Sequence, residues 1–224
     1  MIWIIFIGFA LASWLVSHQL KSRFAKYSKI PTANGMSGKE VVEKMLRDNN
    51  IYGVKIESVE GELTDHYNPA DKTINHSEEV YYGTNVAAAA VAAHETGHAL
   101  QHAQAYAWLG LRSSLVPAVS FSSRYMQWIL LGGILLINTF PALLLFGIFL
   151  FAMTTLFSFI TLPVEINASN RALVWLQTSG ITTTQTHENA EDALKWAGYT
   201  YVIAALGSLA TLLYYISIYM GRRN

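Results

Sequence analysis

The chain has 224 residues, of which 52% are hydrophobic and only 13% charged, a balance too apolar for a soluble domain of this length. Lysine plus arginine equals aspartate plus glutamate at 15 each, so no excess charge directs the chain to a polyanion and nucleic acid is not expected as a partner. There is no cysteine, which excludes disulfides, thiolate metal sites and a cysteine nucleophile, and leaves nitrogen and oxygen as the donors for any metal.

Residues 1–17 carry no charge, enough for one helical crossing at the lower limit of about 17 apolar residues, and Lys21, Arg23, Lys26 and Lys29 follow at once. A cleaved signal peptide would carry its basic residues ahead of the apolar stretch, so this pattern predicts a retained anchor over residues 1–20. Ser37-Gly38-Lys39-Glu40 then has the Ser-x-x-Glu form of a helix-opening capping box, with Val41, Val42, Met45 and Leu46 at helical spacing behind it. Val54, Ile56 and Val59 fall near strand spacing. Asn68-Pro69-Ala70-Asp71 marks a turn between residues 63–67 and 73–76, which predicts a small, partly antiparallel sheet.

Residues 85–104 are rich in alanine and free of proline, with Thr84 or Asn85 placed to cap a helix. This helix carries His94-Glu95-Thr96-Gly97-His98, an H-E-x-x-H pattern. Two histidines four apart on a helix differ by about 40° in rotation and about 6 Å in rise, so both imidazoles can reach one ion. Glu95 lies about 100° around from His94, beside the open face of that ion. The chemistry expected is hydrolysis of a peptide bond by a zinc-activated water, with Glu95 as general base and His94 and His98 as metal ligands.

Residues 125–164 contain no charge, and one helix of that length would be about 60 Å long, twice the hydrocarbon core. Asn138-Thr139-Phe140-Pro141 breaks the run, so two spans are expected, over residues 117–137 and 142–162, with Arg124 near the start of the first. Residues 197–220 make a fourth, ended by Gly221-Arg222-Arg223. The basic cluster after the first span puts the hydrophilic middle in the cytoplasm, although Arg222 and Arg223 count against that orientation.

A catalytic zinc takes three protein ligands. His102 continues the series from His94 and His98 but lies about 12 Å of rise from His94, which suits a supporting or substrate-contacting role better than ligation. Glu165 is the stronger candidate. It is the first charge after the apolar run, follows Pro163, a residue suited to opening a helix, and returns to the side of His94 and His98 after two crossings. Asp65-His66-Tyr67 can hold or polarise a substrate carbonyl, or sit in a strand that pairs with an extended peptide, or be an ordinary strand end. Arg171, His187, Glu188 and Tyr201 flank or follow Glu165 and could contribute an oxyanion donor, but each reads more readily as a surface or packing residue.

Several segments together resemble the YugP-type neutral zinc metallopeptidases of bacterial membranes. They are Leu63-Thr64-Asp65-His66-Tyr67-Asn68-Pro69, Tyr81-Tyr82-Gly83, the run from Ala92-Ala93-His94-Glu95 to Gln101-His102, Leu162-Pro163-Val164-Glu165 with Ala168-Ser169 and Arg171-Ala172, and Tyr199-Thr200-Tyr201-Val202. The resemblance implies a membrane-bound zinc peptidase. Wider likeness to HtpX-type and CAAX-processing membrane peptidases implies Glu165 as the third ligand. Those relatives place an aspartate four residues after the glutamate, where this chain has Ser169, which can hydrogen-bond an imidazole but supplies no charge.

The expected fold is thus a mainly α integral membrane protein with four spans and a small α+β zincin-like catalytic domain. Its parts are an anchor (1–20), the catalytic domain (30–112), a two-span hairpin (117–162), a helical segment supplying Glu165 (163–196) and a last span (197–220). One catalytic Zn2+, a peptide or protein substrate and the lipid bilayer are the expected partners. A rival reading is a non-catalytic adaptor or chaperone-like scaffold whose zinc site is structural or lost. A metal transporter is a poorer fit, because the candidate ligands fall just outside the spans.

Overall fold

The computed structural model describes residues 2–61 and 64–221; Leu63, Arg222 and Arg223, used above, lie outside them. In chain order the elements are α1 (Ile2–Tyr27), α2 (Gly38–Asp48), β1 (Lys55–Val59), β2 (His66–Asn68), β3 (Thr73–Ser77), α3 (Glu78–Tyr82), α4 (Val86–Ala103), α5 (Ala107–Leu135), α6 (Pro141–Thr178) and α7 (Thr184–Gly221). Their contacts divide the chain into two units. One comprises Met1–Leu15, Gly110–Pro163 and Thr200–Asn224, the other Val16–Leu109 and Val164–Tyr199.

In the first unit Leu130, Leu144 and Ile148 form a core with Met126, Phe151, Leu212 and Tyr215 around them, drawing α5, α6 and α7 together. Small residues let the helices approach: a β-carbon on Gly133 would meet the backbone of Leu144, and Gly207 faces the ring of Phe9. The hydroxyls of Thr155 and Ser208, 2.7 Å apart, satisfy one another between α6 and α7.

Among the described residues three helices are long and apolar enough to cross a membrane: Trp3–Tyr27, Pro141–Thr178 and Thr184–Gly221. The stretch 117–137 expected as a further span falls in α5 as far as Leu135, a continuous helix that is not among the three and that carries Arg112 and Arg124. Pro141 opens α6, as the Asn138–Pro141 break predicts. Pro163 does not open a helix. It lies inside α6, where its missing N–H frees one carbonyl, whereas ending the helix there would leave several backbone groups without partners.

The second unit is built around a core of Val41, Val42, Met45, Ile74, Val86, Leu176 and Ile181, all fully buried. The capping box of α2 is present: Ser37 N–H donates to Glu40 Oε2 at 2.7 Å, and Glu40 N–H donates to Ser37 Oγ at 3.4 Å. This fixes the start of the helix whose Val41, Val42, Met45 and Leu46 face α4. The sheet order is β1-β3-β2, with β1 parallel and β2 antiparallel to β3, so it is partly antiparallel and β2 is an edge strand. Asn85 caps α4, its Oδ1 accepting from Ala88 N–H at 2.9 Å. The alanines from Ala87 to Ala93 are buried, and their small side chains let α2, α3 and the sheet pack closely on α4.

Candidate metal centre

The metal candidates come from two helices of the second unit. α4 presents His94 and His98 on one face, their rings 4.9 Å apart at 85° to each other. α6 crosses beside Gly97 and brings in Glu165. Donor atoms of His94, His98 and Glu165 all lie within 4.8 Å of one another, the one such group of histidine and carboxylate side chains among the described residues. His94 Nε2 is 3.3 Å and His98 Nε2 3.6 Å from Glu165 Oε2.

These spacings fit a metal. An ion with nitrogen and oxygen donors at about 2.0–2.2 Å in tetrahedral array separates those donors by about 3.3–3.6 Å. The far nitrogens of both imidazoles are occupied, leaving Nε2 of each for the ion. His94 Nδ1 is 3.1 Å from Ser169 Oγ, and His98 Nδ1 is 3.0 Å from Gln101 Oε1. Gln101 is fully buried, and its Nε2 donates to the Val164 carbonyl at 2.8 Å and to Asn167 Oδ1 at 3.0 Å. Arg171 Nε in turn donates to Asn167 Oδ1 at 2.7 Å, so Arg171 closes a polar chain behind the site. Burial opposes charge on His98, but its hydrogen bond to Glu165 and the nearby Glu95 and Glu165 carboxylates outweigh that and hold its pKa above the ordinary value.

Glu95 is not one of the three grouped donors, but its carboxylate is near enough to His98 to act on it electrostatically. Its Oε2 accepts the backbone N–H of Tyr67, in edge strand β2, at 2.9 Å. His102 lies apart from the cluster and is exposed, with Nδ1 2.8 Å from the Tyr67 hydroxyl. Asp65 accepts from His76 Nδ1 at 2.9 Å and from Ser77 N–H at 3.0 Å, which fastens the segment before β2 to the start of α3. His66 bonds the Thr64 carbonyl and Asn75. His187 pairs with Thr182. Two participants were not singled out from sequence: Gln101, visible only as a polar residue one turn after His98, and the Tyr67 amide, for which a backbone group offers no residue-type signal.

A family model described as "Putative neutral zinc metallopeptidase" matches residues 2–220. A relative from Bacillus subtilis (strain 168), "Putative membrane protease YugP", is 41% identical over 212 residues, covering 95% of this chain and 93% of the relative. No solved structure matches the chain.

Proposed function

The chain belongs to this neutral zinc metallopeptidase family, and from that membership we propose that it is a membrane-embedded metalloendopeptidase with Glu95 as general base and His94, His98 and Glu165 as ligands of one catalytic zinc. The observation that carries the reading is the convergence of three donors, rather than the four of a closed structural site, with a fourth ionisable group, Glu95, one residue along α4. When bound there, zinc would supply positive charge that acidifies water and polarises a substrate carbonyl.

The rest of the work falls to the chain's own groups. Glu95 takes the proton of the attacking water on its carboxylate and passes it to the departing amine nitrogen, so the peptide bond is exchanged for a carboxyl and an amino group. Ser169 and Gln101 hold the two imidazoles with Nε2 directed inward.

Four spans are part of the proposal, the three long apolar helices and α5, with the hydrophilic middle and the site on the cytoplasmic side of the cell membrane. The test of activity is hydrolysis of fluorescence-quenched peptides by the purified, zinc-loaded full chain and by Glu95→Gln. Cleavage by the native chain and a loss of about a hundredfold or more in the variant is expected. Equal rates in the two would remove Glu95 from its role.

A further inference from the structure

We propose that Tyr67 and His102 form a latch that positions the Glu95 carboxylate, so that Tyr67 is a positioning residue for the reaction although its side chain contacts none of the three metal-ligand candidates. This rests on the peptidase reading above and names a device that the reading does not need.

The backbone of Tyr67 and its side chain bind α4 at two points. The amide N–H holds Glu95 Oε2 at 2.9 Å, and the phenol is hydrogen-bonded to His102 Nδ1 at 2.8 Å, seven residues and about 10 Å further along the same helix. The ring centroids of Tyr67 and His102 are 5.9 Å apart. β2 is only three residues long and is an edge strand, paired with β3 on one side alone. In that pairing Tyr67 stands opposite Ile74, and its N–H points away from β3 to Glu95. Asp65 anchors the segment before β2, and Tyr67 packs on the core, so these two bonds set the fine position of the Tyr67 amide against α4 rather than holding the strand as a whole.

The consequence falls on the carboxylate. A free glutamate side chain samples several rotamers, of which few leave an oxygen aimed at a reacting water. With Oε2 engaged by the Tyr67 amide, Oε1 is left as the proton acceptor. If the phenol–imidazole bond is cut, the strand gains freedom, the amide drifts, and Glu95 spends less time in the productive orientation. The chain would then keep its metal and its substrate affinity but turn over more slowly.

The experiment uses the full chain in detergent with quenched peptides as probe. Tyr67→Phe and His102→Ala should each lower kcat about three- to tenfold, the scale of one hydrogen bond, with KM and zinc content unchanged. The double variant should be no slower than the slower single one, because both cut the same bond. His102→Asn should recover most of the lost rate, since an asparagine amide can serve either sense of the bond made by Nδ1. A second readout needs no catalysis. In the metal-free chain, hydrogen exchange at the Tyr67 amide should accelerate in Glu95→Ala, Tyr67→Phe and His102→Ala, but not in His102→Asn.

Additive losses, a change confined to KM, failure of His102→Asn to rescue, or faster turnover in Tyr67→Phe would each overturn the latch. Unchanged exchange in His102→Ala would do so as well. Absence of hydrolysis in the native chain, with the expected exchange pattern intact, would instead count against the peptidase reading and leave the latch standing.

Discussion

Gly97 sits so close to Ala168 that a β-carbon on the glycine would lie 2.7 Å from the Ala168 carbonyl oxygen and 3.2 Å from its Cα. The middle of the H-E-x-x-H helix therefore touches bare backbone of α6, and His94 and His98, the proposed ligands, reach Glu165 across that contact. Gly97→Ala sets two effects against each other. Alanine favours the helix by about 1 kcal/mol, but forcing a methyl into main chain costs about 1–3 kcal/mol and parts the helices. Overpacking should win, with a lower melting temperature and reduced zinc content by elemental analysis. An alanine variant with native zinc content would mean that α4 and α6 can separate without disturbing the ligands.

Zinc that binds only the folded chain should stabilise it by about 4 kcal/mol when free zinc exceeds Kd about 1,000-fold. The melting temperature of the chelator-stripped protein should rise accordingly on adding zinc. Glu95→Gln should show the same rise, because the base is not among the proposed ligands. Glu165→Ala should show almost none, since two histidines leave the ion without its charged donor. His102→Ala should behave as the native chain. A full rise in Glu165→Ala together with none in His102→Ala would exchange the two assignments.

Gln101→Leu removes a buried amide that serves three partners, leaving His98 Nδ1 and the Val164 carbonyl without it. Zinc affinity should fall about 10- to 100-fold in competition with a chromophoric chelator, and folding stability by about 1–3 kcal/mol. Ser169→Ala, which costs only the one contact to His94, should be milder in both measurements.

The proposed orientation places Asn138, in the connection between α5 and α6, outside the cell and Ser37 in the cytoplasm. The cysteine-free chain permits a clean test with a thiol reagent that does not cross the membrane. Asn138→Cys should be labelled in intact cells and Ser37→Cys only after lysis. The opposite pattern would invert the topology.

What could be read from the sequence was set by local rules. The Ser37–Glu40 box, the Asn85 cap, the alanine-rich helix with His94, Glu95 and His98 on it, and the break before Pro141 are each decided by residues within a few positions of one another. Features that depend on distant partners were less accessible. The parallel pairing of β1 with β3 joins residues far apart in the chain, with β1 also packing on α3 and β3 on α3 and α4, and Pro163 is accommodated inside a helix that runs on past it. Glu165 was reached by counting crossings. Its distances to the two imidazoles, and the amide of Gln101 that turns His98 inward, follow from the crossing of α4 over α6, which no spacing in one chain discloses.

That crossing can be described as a joint between two rods. Rods may press closer, slide or roll, and each of these motions here meets its own stop. Gly97 against Ala168 limits how near the rods lie, the Gln101 amide on the Val164 carbonyl resists sliding, and the His94–Ser169 contact resists rolling. Since the three stops sit within two turns of helix, no motion of one rod relaxes a single stop alone. The joint thus resists closing, sliding and rolling together, and an enzyme built on it would hold or lose the geometry of its metal candidates as a unit.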